Sequence, residues 1–189
     1  VAIWRHDSVF KTNSRKAAFN WTNCLADVIL ADSESVAKTL QNNTDVDGSL
    51  LHTVPISGLN LNKYTLASHD WKEKSVVGTV GRLTEKKNHM GILDVAERLQ
   101  GENIEFEIVG DGELYDDLSK EIQTRELSNV TLHGFIDDVP EFLPTLDIYF
   151  QPSLYEGLCI TVLEAMATGL PVVGSDVGGI GRNVENEVS

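Results

Sequence analysis

The chain has 189 residues, of which 41% are hydrophobic and 23% charged, and its formal net charge is −14. This composition is typical of a folded globular protein and excludes a disordered or fibrous one. The acidic balance argues against a surface that binds nucleic acid or anionic membrane as a whole, so an anionic ligand would need a local group of Lys and Arg. No apolar run approaches the ~18 residues of a membrane-spanning helix.

The two ends and the two cysteines suggest the setting of the chain. It starts at Val1 without a Met or a signal segment and stops at Ser189 just after an apparent helix start, so we expect a fragment of a longer protein. Cys24 and Cys159 do not make a disulfide framework, which fits a reducing compartment. We therefore expect a cytoplasmic protein.

The first third of the chain predicts part of an α/β domain. Apolar runs predict strands over residues 1–4, 28–31 and 51–54. A helix is expected over 13–26 with its apolar face formed by Ala17, Trp21, Cys24 and Leu25, and a second helix after the capping residue Ser33. Residues 55–69 show little periodicity and predict a connection between two domains.

From residue 75 onward, strands and helices alternate regularly. Strands are expected at 75–81, 104–109, 130–133, 148–150 and 171–174, with helices near 88–100, 114–122, 139–143 and 159–168 between them. Short loops in such an alternation predict a parallel sheet covered by helices on both faces. Ligands of such sheets bind at the carboxyl ends of the strands, which directs attention to the loops 81–88, 110–113, 134–138 and 151–158.

The first of these loops carries the local positive charge that the composition calls for. Arg82 follows a predicted buried strand, and Lys87 lies at the start of the next helix. Both could hold a diphosphate. A solvated lysine pair beside an arginine in a surface ion pair is the alternative.

The next two loops are less specific. Gly110 and Gly112 match two glycines of a dinucleotide fingerprint, but Tyr115 replaces the third, and a tight turn explains the pair equally well. The loop 133–140 could meet a base edge through its backbone or could simply be a turn.

The stretch 155–179 combines a loop acid, Glu156, with a helix that carries Glu164 and ends at Gly169, a residue suited to a left-handed cap. A helix that begins beside a glycine presents free N–H groups to an anion. Such an arrangement makes sense if the N–H groups hold a phosphate while the carboxylates face neutral hydroxyls.

Together these loops form an ordered series: G-R-L-x-x-x-K, G-D-G, G-F-x-D-D-V-P, P-S-x-Y-E-G-L and E-A-M-A-x-G-x-P-V-V. The series resembles the donor-binding half of the retaining GT-B glycosyltransferases, family four in the usual grouping (glycosyl transferases group 1). The resemblance covers about residues 26–181 and implies an α/β fold of Rossmann-like parallel sheets. It implies domains at 1–57 (the incomplete end of the acceptor-side domain) and 71–189 (the truncated donor-binding domain), joined by 58–70.

The resemblance also implies site residues. Arg82 and Lys87 would hold the diphosphate of a UDP-, GDP- or ADP-linked sugar and stabilise the leaving group without a metal or cofactor. Glu156 would contact the transferred sugar, with its role as a covalent nucleophile disputed for the family, and Glu164 would accept from the ribose hydroxyls. The remaining implied donor-binding residues are Gly110, Ile136, Gly157, Leu158, Cys159, Ile160 and Thr161, and His6 is either the acceptor-side histidine or a surface histidine.

Departures from the family pattern limit these implications. Cys159 stands where Gly or Pro is usual, as a packing residue or as a thiol with a lowered pKa, and Gly181-Arg182 replaces a common Pro-Glu. Much of the acceptor-side domain is absent, so the isolated fragment is expected to be inactive, and its acceptor (glycan, lipid or small molecule) is not identified. Peripheral membrane association through the missing regions is compatible with the family.

Three alternatives remain. A sugar-nucleotide 2-epimerase of the same fold and a non-catalytic nucleotide-sugar-binding domain share the expected site. A dinucleotide-dependent oxidoreductase is disfavoured by the broken glycine fingerprint. A phosphorylase would need a pyridoxal lysine signature that the sequence does not show.

Overall fold

The structure is a computed structural model that describes residues 1–5, 12–54, 58–68 and 74–184. The chain divides into two compact units. The first unit comprises Val1–Gly58 and Glu156–Cys159, and the second comprises Leu59–Tyr155 and Ile160–Ser189. Each unit has its own parallel sheet.

The sheet of the first unit has three strands in the order β1-β2-β3. Its elements are β1 (Ala2–Arg5), α1 (Asn13–Asn23), β2 (Val28–Ala31), α2 (Glu34–Asn43) and β3 (Leu51–Thr53). As predicted, Ser33 caps α2, because its Oγ accepts from the N–H of Val36 at 3.3 Å. Buried side chains from α1, β2 and α2 form the core of this unit, among them Phe19, Ile29, Val36 and Leu40.

The predicted apolar face of α1 is wrong. Trp21 is 74% exposed and Leu25 64% exposed, and the helix ends at Asn23. The face that packs inward carries Phe19 and Asn23 instead. Apolar residues occur on both sides of this short helix, so helical spacing alone did not identify the side that is buried.

The sheet of the second unit has five parallel strands in the order β6-β5-β4-β7-β8. The strands are β4 (Ser75–Val80), β5 (Ile104–Val109), β6 (Val130–Gly134), β7 (Ile148–Gln151) and β8 (Val172–Gly174). The helices between and after them are α3 (His89–Arg98), α4 (Tyr115–Thr124), α5 (Val139–Phe142), α6 (Ile160–Ala167) and α7 (Ile180–Asn183). The alternation predicted from residue 75 onward is therefore correct, with boundaries that differ by a few residues.

Helices cover both faces of this sheet because the strand order reverses direction. From β4 through β5 to β6 the chain moves one way, and it then returns to place β7 on the other side of β4. Since parallel crossovers are right-handed, opposite directions of travel put the helices on opposite faces. One core lies where α3 and α4 pack on β5, with Leu93, Phe106 and Leu118 among its buried side chains.

No helix in the described part of the chain is both long enough and apolar enough to cross a lipid bilayer.

Candidate functional site

The strand order of the second unit identifies where a ligand site belongs. The crossovers leave β4 and β7, which are neighbours in the sheet, in opposite directions. The carboxyl ends of such a strand pair form the switch point of an open α/β sheet, and ligands bind there. The loops that follow β4 and β7 are therefore the primary candidates.

The loop after β4 contains the two predicted cations, Arg82 and Lys87. Arg82 is exposed, and within the described residues its guanidinium has no hydrogen-bond or ion-pair partner. Lys87 ends a 3-10 turn and is half-buried. Its side chain turns back over the end of β4, since its Cε lies 3.4 Å from the position that a Cβ on Gly81 would occupy. The fold therefore keeps the stem of Lys87 close to the end of β4, in the loop that carries Arg82.

Two hydrogen bonds tie this loop to the loop after β7. The backbone N–H of Leu154 donates to the carbonyl of Lys86 at 2.9 Å. The side-chain Nδ2 of Asn88 donates to the carbonyl of Pro152 at 3.1 Å. Lys86 Nζ also lies 5.5 Å from the centroid of the Tyr155 ring, which is a cation–π distance. The two loops at the switch point thus form a connected pair.

The loop after β5 is packed against the loop after β4 through backbone atoms. The N–H of Leu83 donates to the carbonyl of Asp111 at 2.9 Å. Gly110 and Gly112 have φ values of +147° and +156°, which favour glycine. A Cβ on Gly110 would lie 1.9 Å from the carbonyl oxygen of Gly81. A close backbone approach therefore explains this glycine pair without a ligand.

A chain of buried polar groups lies beneath the switch point. The hydroxyl of Tyr149 is 3.0 Å from the carbonyl of Val80 and 3.0 Å from Oε1 of Gln151, and Gln151 Nε2 donates to Ser153 Oγ at 2.9 Å. These three side chains are at most 1% exposed. The chain links β4 to the start of the loop after β7. Our sequence analysis missed it, although the two-residue spacing of 149, 151 and 153 was a visible signal for one strand face.

Helix α6 contains three of the predicted site residues: Ile160, Thr161 and Glu164. It begins at Ile160 rather than at Cys159 as predicted. Cys159 precedes the helix with φ +55°, a left-handed conformation that a glycine adopts more easily. Glu164 is half-buried, and its Oε1 accepts from the hydroxyl of Tyr64 at 2.8 Å.

The end of α6 matches the prediction. Gly169 has φ +75°, its N–H donates to Met166, and the N–H of Leu170 donates to the carbonyl of Ala165. This is the hydrogen-bond pattern of a Schellman cap.

The remaining predicted residues lie elsewhere. Glu156, Gly157, Leu158 and Cys159 form the segment that groups with the first unit. In this segment Glu156 and Cys159 are each 6% exposed, and the Cys159 thiol is not in a disulfide. Ile136 is half-buried in the loop after β6. His6 lies outside the described residues.

His89, at the start of α3, is a buried polar residue that the sequence analysis did not single out. It is 0% exposed, and neither ring nitrogen has a hydrogen-bond partner among the described residues. Burial, assisted by the positive charge of Lys87, lowers the pKa of His89 to about 4. The ring is therefore neutral at physiological pH.

Comparison with known proteins identifies the family. Residues 66–189 match the family model described as Glycosyl transferases group 1. The chain belongs to this family.

Its curated relatives agree with that assignment. The putative glycosyltransferase EpsF of Bacillus subtilis is 30% identical over 86% of this chain and 49% of its own length. The UDP-Gal:alpha-D-GlcNAc-diphosphoundecaprenol alpha-1,3-galactosyltransferase of Escherichia coli is 32% identical over 96% of this chain and 53% of its own length. This group 1 chain thus spans about half the length of these relatives.

Solved structures show the fold. The crystal structure of Anabaena HepE in complex with UDP and glucose matches with a TM-score of 0.85 at 22% identity, over 98% of this chain and 55% of that chain. Staphylococcus aureus TarM matches with a TM-score of 0.81 at 21% identity, over 98% of this chain and 38% of that chain. The predicted fold class, an α/β arrangement of the GT-B type with parallel sheets and helices on both faces, is confirmed.

Proposed function

We propose that this group 1 chain forms the donor-binding half of a retaining glycosyltransferase that moves a hexosyl unit from a nucleoside-diphosphate sugar to an acceptor. The observation that supports this most is the Arg82–Lys87 loop, which follows β4 at the switch point of the sheet. Two hydrogen bonds fix it to the loop after β7. A rigid cationic loop at that place in an acidic chain suits an anionic ligand.

The diphosphate is the part of the donor that these cations would hold. The exposed guanidinium of Arg82 can present two parallel N–H donors to a phosphate, whereas the Lys87 ammonium acts as a compact charge. As the bond to the sugar breaks, negative charge grows on the leaving diphosphate. Cations already in place stabilise that charge without the reorganisation that water would require. In this proposal the reaction needs neither a metal nor another cofactor.

The start of α6 would complete the phosphate site. The N–H groups of Ile160 and Thr161 lie in the first turn, where helix N–H groups have no intrahelical acceptor and the dipole favours an anion. We assign them, with the backbone of 157–159, to the distal phosphate. Glu164, one turn further along the helix, is assigned to the ribose hydroxyls.

The base and the sugar are assigned to other loops. The main chain of Ile136 would meet the base, and Gly110 would line the donor site next to Gly81. Glu156 would position the transferred sugar or stabilise its positive charge while the acceptor attacks from the face that the diphosphate leaves, which gives retention. The covalent alternative makes Glu156 the nucleophile.

The relatives suggest which donor and acceptor to test first. HepE was crystallised with UDP-glucose, and the Escherichia coli relative is a UDP-Gal enzyme acting on a diphosphoundecaprenol-linked sugar. We therefore propose a UDP-linked sugar as the first donor to test, ahead of GDP- and ADP-linked ones. The acceptor would belong to polysaccharide or glycoconjugate synthesis, and a lipid-linked one would bring the enzyme to a membrane surface.

Ligand-induced stabilisation tests the donor site directly. The 189-residue chain is titrated with UDP, GDP, ADP and NAD, and unfolding is followed by thermal denaturation. A nucleoside diphosphate at 100 times its Kd should stabilise the chain by about 2.7 kcal/mol. The double variant Arg82→Ala/Lys87→Ala should lose this effect, and EDTA should leave the wild-type effect unchanged.

A charge-matched control separates the site from general electrostatics. Arg98→Ala/Lys120→Ala removes the same charge from two exposed positions on α3 and α4 and should keep the wild-type ligand effect. Stabilisation by NAD alone would contradict the proposal. So would the absence of any nucleoside-diphosphate effect on a chain that unfolds cooperatively.

A further inference from the structure

The segment before β4 lies along helix α6. We call residues 64–67 the strap. At one end of the strap, the Tyr64 hydroxyl donates to Glu164 Oε1 at 2.8 Å. At the other end, the N–H of Ala67 donates to the carbonyl of Thr168 at 2.8 Å. Between them, Leu66 Cδ2 lies 3.4 Å from the position of a Cβ on Gly169. The strap is therefore attached to α6 on both sides of its last turn.

The direction of the Tyr64–Glu164 hydrogen bond is determined by charge. Burial and the neighbouring carboxylate of Glu164 raise the pKa of Tyr64 to about 12. The phenol is thus protonated throughout the physiological range and donates its proton. Glu164, as the acceptor, is engaged in its ionised form, which makes this a charge-assisted bond.

This bond uses only part of what the carboxylate can accept. An ionised carboxylate has two oxygens and about four acceptor positions. Within the described residues, no group other than Tyr64 donates to the Glu164 side chain. Oε2 and one position on Oε1 remain for a ligand, which matches the two neighbouring hydroxyl donors of a ribose.

We infer that Tyr64 is a positioning residue, which holds the Glu164 carboxylate ready for the 2′- and 3′-hydroxyls and thereby selects ribonucleotide over deoxyribonucleotide donors. This rests on the proposed function, because Glu164 meets a ribose only if the donor is a nucleotide. A free glutamate side chain loses rotamer freedom when it binds a ligand. The bond from Tyr64 imposes that restriction before the ligand arrives, and such preorganisation increases affinity.

A ligand-by-variant comparison tests the inference. Kd is measured by calorimetry for UDP and 2′,3′-dideoxy-UDP, with the GDP and ADP pairs run in parallel, on wild type and on Tyr64→Phe. The variant keeps the ring and loses only the hydroxyl. We expect it to weaken the ribonucleotide about three- to tenfold. Binding of the dideoxy ligand, which lacks the groups that Glu164 would receive, should stay unchanged.

Two further variants keep the result specific. Thr65→Val removes a hydroxyl from the neighbouring strap residue and should leave both Kd values at the wild-type level. Glu164→Gln keeps the shape of the side chain and removes its charge. It should weaken the ribonucleotide alone, and in that background Tyr64→Phe should have no further effect. The melting temperature of each ligand-free variant verifies that it is folded.

Three results would overturn the inference while leaving the proposed function intact. They are equal Kd values of wild type for the ribo- and dideoxyribonucleotide, an equal loss of both in Tyr64→Phe, and tighter ribonucleotide binding by Tyr64→Phe. The last would mean that Tyr64 competes with the ribose. A folded wild-type chain that binds none of the nucleoside diphosphates would overturn the proposed function and this inference together.

Discussion

Gly110 lies directly against the backbone of Gly81, so closely that a Cβ on Gly110 would be 1.9 Å from the Gly81 carbonyl oxygen. The N–H of Gly81 in turn donates to the carbonyl of Val109 at 3.0 Å. The loops after β4 and β5 therefore share one backbone interface, which holds the Arg82 loop in place. The shape of the candidate site depends on the absence of a side chain at residue 110.

A methyl group at this position should be costly. Gly110→Ala adds both the strain of a φ of +147° and the overlap with Gly81, so we expect a loss of more than about 3 kcal/mol in the free energy of unfolding. Gly101 supplies the control, because its φ is +97° and nothing lies within 4 Å of its would-be Cβ. Gly101→Ala should cost only about 1–2 kcal/mol. Equal losses in urea denaturation would show that the Gly81 contact is unimportant.

The buried His89 should make stability depend on pH. Its pKa is lowered to about 4 in the folded chain, so below pH 6.5 the unfolded chain binds more protons than the folded one. Stability should therefore fall as the pH is lowered from about 6.5 towards 4, by on the order of 3 kcal/mol. His89→Leu should remove this part of the pH dependence and leave stability at pH 7 within about 1 kcal/mol of wild type.

Urea denaturation between pH 4 and 7.5 provides the measurement for His89. His52→Leu, at an exposed position on β3, is the matched substitution and should keep the wild-type slope. A slope that is the same in wild type and His89→Leu would mean that His89 takes up its proton in the folded chain.

The left-handed conformation of Cys159 should reverse the usual ranking of glycine and alanine. At φ +55° we expect Cys159→Gly to be more stable than Cys159→Ala by about 1 kcal/mol, because a Cβ is unfavourable there. Cys24, at φ −66° after α1, should show the opposite order by about 0.5–1 kcal/mol. Melting temperatures of the four variants provide the comparison. The same order at both positions would contradict the assigned backbone conformation of Cys159.

Loss of the Tyr149 hydroxyl should destabilise the switch point. Tyr149→Phe leaves polar groups of Val80 and Gln151 buried with fewer partners, which costs about 1–3 kcal/mol. Tyr115→Phe is the control, since the Tyr115 hydroxyl has no hydrogen-bond partner in the described part of the chain. Its cost should stay below about 0.5 kcal/mol. Equal unfolding free energies for the two variants would mean that the Tyr149 hydroxyl contributes nothing.

The regular alternation from residue 75 onward was predictable because each strand is a short apolar run and each helix has apolar residues at helical spacing. These local signals indicated the α/β class, the cap at Ser33 and the Schellman end at Gly169. The face of α1 was not predictable in the same way. Trp21 and Phe19 are both apolar, and only contacts with other elements determine that Phe19 is the one that is buried.

The candidate site divides in the same manner. The sequence pointed to Arg82, Lys87, Glu156 and Glu164 through motif spacing, and their roles stay predictions. It gave no indication that Tyr64 bonds to Glu164, one hundred residues later in the chain. Nor did it reveal that His89 is buried without a partner among the described residues.

The amino-acid sequence by itself determined the element types, the parallel sheet and the loops at its carboxyl ends, because hydrophobic period and turn residues are properties of neighbouring residues. Tertiary structure decided the strand order that puts β7 beside β4, and it decided that Gly110 packs on Gly81. It also decided that Tyr64 reaches Glu164. These pairings join residues far apart in the chain, and their identity depends on how whole elements pack against one another.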